Sequence, residues 1–473
     1  MDMPEQYDVA IIGAGTAGLS ALTEVRKRTD NFVLINDGPY GTTCARVGCM
    51  PSKALIEAAR AYHRRTVFEE FGIRGGEVLT ADIPAVLARV RRLRDDFVRG
   101  TLKVTDALGD RNIAGRARFV APDTLLVAGR IVRAGKIIIA TGSRPVVPEA
   151  WRAIGDRILT SDNLFEQADL PERMAVIGLG AVGAEMAQAL ARLGVTITAF
   201  DLDTRVAGLS DPAVNECAIG CLRMECAVHL GAPAELKAEG DHILVKAGDA
   251  IVVVDKVFAA LGRRPNVGDL GLELLGVELD ERGVPPFNPL TMQIADLPVF
   301  IAGDADNYAP VLHEAADEGH IAGRNAMASM PECYARRTRL AIVFSDPDIA
   351  VVGRRFSDLG EGEAIIGEAH FARQGRALAA AANHGILRVY ADKVAGLLLG
   401  AEICAPDGEH MAHLLALAIQ QRLSVFDLLR LPFYHPVLEE GLRAALRELG
   451  RQLPGGPVSD LAGCGSIGAD ALD

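Results

Sequence analysis

Residues 7–12 (Tyr-Asp-Val-Ala-Ile-Ile) form a short apolar run of the kind a buried strand makes. A helical pattern follows through Arg28, and Phe32–Ile35 is a second apolar run. The link between the first strand and the helix reads Gly13-Ala-Gly-Thr-Ala-Gly18. The same succession recurs further on. A strand leads into Gly178-Leu-Gly-Ala-Val-Gly183, a helix runs to about Leu193, and Val195–Phe200 is the next strand. Between the two units the pattern predicts a long helical region over 53–106, with the charge run Arg89–Arg99 as a solvated face. Residues 113–139 alternate like strands and end in Ala140-Thr-Gly-Ser-Arg-Pro145. Residues 251–266 repeat that ending with Ala-Leu-Gly-Arg-Arg-Pro-Asn, and Val299–Asp304 is a further buried strand. From about 340 the pattern is strand-rich, then helical over 408–421 and 437–450. The Gly-, Pro- and Ala-rich stretch after Gly450 is predicted to be a mobile tail.

A strand followed by GxGxxG and a helix is the turn that dinucleotides use. The first glycine allows the tight turn, the second lets a pyrophosphate approach the backbone, and the third lets helix and strand pack closely. The helix N-terminus then faces the anion. Two such units imply two dinucleotides, and an α/β chain with two Rossmann-like dinucleotide-binding domains.

Composition narrows the function classes. The chain has 473 residues, about three domains on the usual size prior, and 49% hydrophobic content to build their cores. A net charge of −13 argues against nucleic acid or an anionic membrane surface as partner. No apolar run is long enough to span a bilayer, and the acidic N-terminus has no signal-peptide character, so the expected location is cytoplasmic. Eight cysteines are too few for a structural disulfide framework. Two of them, Cys44 and Cys49, follow directly on the first βαβ unit in Gly41-Thr-Thr-Cys-Ala-Arg-Val-Gly-Cys-Met-Pro-Ser-Lys53. A thiol pair there can pass electrons to a cofactor held by the same domain.

The ordered set GAGTAG, CxxxxC-x-Pro-Ser-Lys, ATGSRP, GLGAVG, GRRPN, Ala-Gly-Asp and His435-Pro-Val-Leu-Glu-Glu440 resembles the pyridine nucleotide–disulfide oxidoreductases over residues of about 5–450. Within that family it is most similar to the dihydrolipoamide dehydrogenases. The resemblance implies an FAD-binding domain in two parts (1–148 and 267–337), an NAD-binding domain (149–266), an α+β dimerisation domain (338–450) and a tail (451–473).

It also implies roles. Gly13, Gly15 and Gly18 lie at the FAD pyrophosphate, Asn36 and Gly115 at its adenosine part, and Asp304 at the ribityl hydroxyls. Thr141 and Gly142, with Gly262 in the matching later stretch, are further cofactor-binding positions. Gly178, Gly180 and Gly183 hold the nicotinamide nucleotide. Asp201 accepts from its ribose 2′-hydroxyl and so favours NAD over NADP, with Arg205 nearby as the opposing feature. Cys49 faces the flavin as charge-transfer thiolate, and Cys44 is the interchange thiol that meets the substrate, one sulfur buried and the other open. Lys53, paired with Glu185, supports the charge of reduced flavin. His435 and Glu440 form an acid–base dyad that reaches the disulfide of the other subunit of a homodimer. The implied reaction oxidises dihydrolipoamide, free or on the lipoyl domain of a 2-oxo acid dehydrogenase-type complex, and reduces NAD. The alternative is an NAD(P)H-dependent disulfide, quinone or metal-ion reductase on the same scaffold.

Four positions depart from the family pattern. Asn36 stands for a glutamate, Thr42 for the second glycine before Thr-Cys, Arg46 for an asparagine between the cysteines, and Tyr434 for a histidine before His435. Thr42 places a side chain in a tight turn, and Arg46 brings a cation that favours thiolate. Cys217, Cys221 and Cys226 cluster in the second nucleotide domain, the first two one helical turn apart. With no histidine or fourth ligand well placed they read as packing, with no metal, and Cys464 is isolated in the tail.

Overall fold

The structure is a computed structural model that describes residues 5–454. The predicted tail begins after Gly450, but Arg451 and Gln452 still belong to the helix Glu440–Gln452; the part beyond Pro454, with Cys464, lies outside the described residues. The chain divides into two compact units. Among the described residues, one gathers 5–58, Asp82–Leu170 and Ala259–Arg336; the other gathers Ala59–Ala81, Pro171–Phe258 and 337–454.

In the first unit, five strands run parallel in the order Asn112–Ala114, Phe32–Asn36, Glu5–Ile12, Arg130–Ile139, Val299–Ile301. Strand Arg130–Ile139 also begins an antiparallel ladder with Thr124–Val127 and then Ala117–Ala121. Its first half pairs with that meander and its second half with Val299–Ile301, which accounts for its length. Apolar side chains on both faces of the parallel part are fully buried: Ala10, Ile12, Val33 and Ile35 on one face, Val9, Ile11, Phe32 and Leu34 on the other. The helices Thr16–Val25 and Leu312–Met327 cover the second face. They touch backbone to backbone. A Cβ on Gly319 would lie 2.2 Å from the Ala17 carbonyl oxygen, and one on Gly323 would lie 2.6 Å from that of Ala21.

The second unit repeats the plan. Strands Ala227–Leu230, Thr196–Asp201, Arg173–Ile177 and Lys256–Ala259 are neighbours in that order, and the first three are parallel. A three-stranded antiparallel sheet, Glu235–Glu239, His242–Ala247 and Ala250–Val254, follows them. A five-stranded antiparallel sheet then runs in the order Leu340–Val343, Asp348–Gly353, Leu398–Ala405, Ile386–Asp392, Ala364–His370. Helices Gly408–Gln420 and Glu440–Gln452 complete its core. This is the expected α/β architecture, two Rossmann-like sheets followed by an α+β domain.

Two predicted helical segments differ from the sequence expectation. The first helix stops at Val25, three residues before Arg28. The region expected to be helical over 53–106 contains two helices, Cys49–His63 and Ile83–Asp106. The break holds a 3-10 turn, Arg64–Val67, and then Gly72 (φ 72°) and Gly75 (φ 93°), left-handed positions that a continuing helix does not allow. The second helix starts at Asp82, whose side chain accepts from the Ala85 amide, with proline in the first turn. Among the described residues, no helix is long and apolar enough to cross a membrane.

Candidate functional site

The two glycine turns have the same construction. Gly13 (φ 113°) donates its amide to the Ile35 carbonyl at 2.7 Å, and Gly178 (φ 94°) donates to that of Phe200 at 2.8 Å. A Cβ on Gly13 would lie 2.1 Å from the Ala140 oxygen, and one on Gly18 would lie 1.9 Å from the Gly13 oxygen, so both are excluded. Gly15 and Gly180 have open space at the same test, as expected where a ligand comes close to the backbone. Gly15 and Gly180 are also the residues that precede helices Thr16–Val25 and Ala181–Arg192, and no side chain caps either helix start. Gly183 is buried inside its helix.

The side chains that end the second strand of each unit brace these turns. The Ala14 amide donates to Asn36 Oδ1 at 3.0 Å, and Asn36 Nδ2 donates to the Gly38 carbonyl at 3.2 Å. In the second unit the Leu179 amide donates to Asp201 Oδ2, and the Asp203 amide donates to Oδ1 at 2.9 Å. Asn36 and Asp201 thus hold the turn itself, a task that the sequence pattern does not reveal. Arg205, the feature opposed to NAD, is engaged by Asp203, with Nη2 to Oδ2 at 3.0 Å.

A cavity of about 390 Å³ opens beside the first turn, lined by Gly13, Asn36, Gly115 and Thr141 among the expected positions. Arg144 and Asn266, which lie within the ATGSRP and GRRPN motifs but had no role assigned, line it too, as do Asp37 and Arg116, which lie in no motif. Thr141 Oγ1 is buried there with no hydrogen-bond partner. An unsatisfied hydroxyl on a polar-lined cavity, next to an uncapped helix start and a glycine with open space, fits the adenosine and pyrophosphate part of FAD.

Thr141 and Gly142 lead into Ser143–Pro145, which pairs antiparallel with Arg263–Pro265, the strand that follows Gly262. The two similar Gly-Ser/Arg-Arg-Pro stretches therefore form one ladder. Asp304, in the turn Gly303–Ala305, accepts from Ser143 Oγ at 2.5 Å, and Arg263 Nε lies 3.7 Å from the same carboxylate. Arg263 also donates to Ser143 at 2.7 Å, so the sequence motifs supply the partners that fix Asp304. Beneath it, the Gly303 amide donates to Glu318 Oε2 at 2.7 Å, and Arg336 donates to Glu318 Oε1 at 2.6 Å. Burial, then the charge of Glu318, pushes the nearby Asp306 carboxyl up to about 9.

Cys44 lies in the one-turn helix Thr43–Arg46, and Cys49 opens the helix Cys49–His63. Thr42 does not crowd the turn before them. Gly41 takes the left-handed conformation (φ 97°), and Thr42 is extended and caps the short helix by accepting from the Ala45 amide at 3.1 Å. The two cysteines are in the dithiol form, Cys44 half-buried and Cys49 exposed. The hydrogen bond to Cys49, then burial, pushes the Cys44 thiol well above its ordinary range. Cys44 therefore keeps its proton and presents it to Cys49, whose sulfur stands at a helix N-terminus, where negative charge is favoured. The cation that acts against the Cys44 shift is that of Lys53; Arg46 has its Nε buried without a hydrogen bond. Lys53 is half-buried one helical turn after Cys49, with Nζ 3.4 Å from Ser52 Oγ.

In the second unit Glu185 is buried on helix Ala181–Arg192 and accepts from the Phe344 amide at 3.0 Å. His435 Nδ1 lies 3.1 Å from both oxygens of Glu440, the first residue of the last described helix. The His435 ring is 80% exposed while Glu440 is 31% exposed, so the dyad has its carboxylate anchored and its imidazole presented. The hydrogen bond from His435 holds the Glu440 carboxyl below the usual range. Cys226, expected with Cys217 and Cys221, turns away to the Leu222 carbonyl at 3.5 Å. Cys404 stands with the other two instead.

Two nucleotide-binding turns and a dithiol on the scaffold of the first define a flavin- and nicotinamide-dependent dithiol–disulfide oxidoreductase. Comparison with known proteins gives the same class. The description "Pyridine nucleotide-disulphide oxidoreductase" matches residues 7–319, and the dimerisation domain of the same name matches residues 340–446. The chain belongs to the pyridine nucleotide–disulphide oxidoreductase family. It is an FAD-dependent oxidoreductase with NAD as its second dinucleotide, and its dimerisation domain makes it a homodimer.

Similar proteins include the dihydrolipoyl dehydrogenase of Halobacterium salinarum, 29% identical over 95% of this chain and 98% of that one. The dihydrolipoyl dehydrogenase of Thermus scotoductus is 30% identical over 94% of this chain and 98% of that one. Among solved structures, the Cu(II) complex of the HOCl-induced flavoprotein disulfide reductase RclA from Escherichia coli shares the fold. Its TM-score is 0.81 at 22% identity, over 94% of this chain and 99% of that one.

Proposed function

We propose that the chain is a dihydrolipoamide dehydrogenase, with Cys44 and Cys49 as its redox pair and NAD as acceptor. The observation that carries this reading is the asymmetry of the pair. Cys44 is half-buried and Cys49 is exposed at the start of a helix that also bears Lys53, and the hydrogen bond to Cys49 pushes the Cys44 thiol up. Full-length dihydrolipoyl dehydrogenases among the similar proteins support the substrate.

In this reading His435 takes a proton from the substrate dithiol, and Glu440 orients the ring and stabilises its cation. The substrate thiolate attacks Cys44 and opens the disulfide, and Cys49 leaves as thiolate. The second substrate thiol closes the product disulfide and frees Cys44 as thiol. FAD, held at the first glycine turn, would supply the two-electron chemistry that connects the reduced cysteine pair to NAD. Lys53 supplies positive charge beside the thiolate, with Glu185 as the carboxylate that the family pairs with it. The engagement of Arg205 by Asp203 favours NAD over a 2′-phosphorylated nucleotide. The functional division follows the family's parts, FAD-binding to residue 148 and over 267–337, NAD-binding over 149–266, and dimerisation over 338–450.

The test is NADH formation from dihydrolipoamide by the wild type and by Cys49→Ser. The wild type should reduce NAD much faster than NADP, and Cys49→Ser should lose turnover together with the long-wavelength charge-transfer absorbance. Inactivity with dihydrolipoamide, alongside reduction of glutathione disulfide, a quinone or mercuric ion by NADH, overturns the substrate.

A further inference from the structure

Three cysteines that the proposed reaction leaves unused stand together in the second unit. Cys217 and Cys221 face the same way, one turn apart on helix Pro212–Arg223. Cys404 comes from the central strand Leu398–Ala405 of the antiparallel sheet. Their three sulfurs lie within 4.8 Å of one another. Cys404 is 1% exposed and Cys221 8%, while Cys217 is half-buried and gives the group an open side. Sulfur–sulfur hydrogen bonds connect all three.

Isolated buried cysteines act as small hydrophobic groups, and packing accounts for them. It does not account for three sulfurs brought into one contact from two distant parts of the chain. Three ligands at a metal–sulfur distance of about 2.3 Å stand about 4 Å apart in a trigonal plane, a spacing inside the 4.8 Å within which the three sulfurs lie. We propose that Cys217, Cys221 and Cys404 form a three-sulfur site for a soft, thiophilic metal ion of the Cu(I) kind. Only sulfur is offered, and thiolate donors select soft ions. Among the described residues no histidine, carboxylate or fourth thiol joins the group, so it suits an ion content with three ligands better than four-coordinate zinc.

The neighbours of the cysteines hold the sulfurs in place before any ion arrives. Glu402 points to the same face of the strand as Cys404, two residues on. Its buried carboxylate accepts from the amides of Ser210 and Asp211, each at 2.8 Å, just before the helix that bears Cys217 and Cys221. Asp211 caps that helix at the Ala213 amide, at 3.0 Å. It also takes Arg388 at 2.7 Å and the Tyr390 hydroxyl at 2.9 Å from the adjacent strand. Helix and strand are thus fixed to each other by hydrogen bonds independent of sulfur. Binding would displace the thiol protons of the cluster and link the nucleotide-binding sheet to the dimerisation sheet.

The test uses the FAD-loaded full chain with Cys44→Ser and Cys49→Ser, so that the redox pair cannot take the metal. After full thiol reduction, Cu(I) is supplied from a bicinchoninate buffer. The expected result is uptake of one ion per chain, with three sulfur neighbours in X-ray absorption, a rise in Tm and complete loss of that ion on adding Cys217→Ser. Cys217 is half-buried, and its replacement should leave FAD content and the metal-free Tm unchanged; Cys217→Ala serves as the second variant. No uptake by the reduced protein, or equal uptake with either Cys217 variant, overturns the site.

Discussion

At the residue scale, the protein places carboxyl groups where burial decides their charge. Asp306 titrates near 9 in the folded chain against an ordinary 3.8. Between those values the native state holds a proton that the unfolded chain has released, so stability falls as pH rises through this window and the loss is complete above 9. Asp306→Asn keeps the acceptor for the Tyr308 amide and removes the titration. Its urea midpoint should fall less than that of the wild type between about pH 6 and about pH 9.5. Equal losses in both proteins would disprove the assignment. The roles of Asn36 and Thr42 also belong to this scale, and they were the least legible. Both were visible in the sequence as departures from a pattern. What they do instead, bracing a turn and capping one helical turn, depends on backbone amides that a sequence does not display.

At the scale of elements, the glycine turns were the most legible part, because their constraint is local: a positive φ and an absent Cβ at fixed spacing. The close approach of helices Thr16–Val25 and Leu312–Met327 was not legible, since Gly319 and Gly323 meet residues that lie far away in the sequence. Gly319→Ala puts a methyl group against backbone that cannot yield and should cost about 1–3 kcal/mol. Calorimetry should show a lower Tm, and flavin absorbance a smaller FAD content, because the helix pressed by Gly319, Thr16–Val25, starts at the first glycine turn. Gly220→Ala is the counterpart, in a helix where a Cβ meets nothing within 4 Å, and it should be neutral or stabilising. A Gly319→Ala protein as stable as Gly220→Ala would show that the helices slide apart freely. The break at Gly72 and Gly75 was present in the sequence but lay hidden between two strong helical patterns.

At the scale of the whole molecule, the order of parts was readable because the glycine motifs sit at strand ends, and strand ends in an α/β fold are where ligands bind. The three-cysteine cluster was only half readable: helical periodicity aligned Cys217 with Cys221, but nothing local connects them to Cys404. Glu402 is the residue that makes this long-range arrangement rigid, and it has a consequence for the clock of solvent exchange. The amides of Ser210, Asp211 and Phe356 all donate to its carboxylate, which is 0% exposed. These amides sit at segment starts where exchange is ordinarily fast, yet none can meet deuterium until one buried acceptor lets go. They should therefore exchange slowly and at a common rate, as a single opening event. Glu402→Gln should release all three together, and hydrogen–deuterium exchange that finds them independent would show that the carboxylate is not their shared latch.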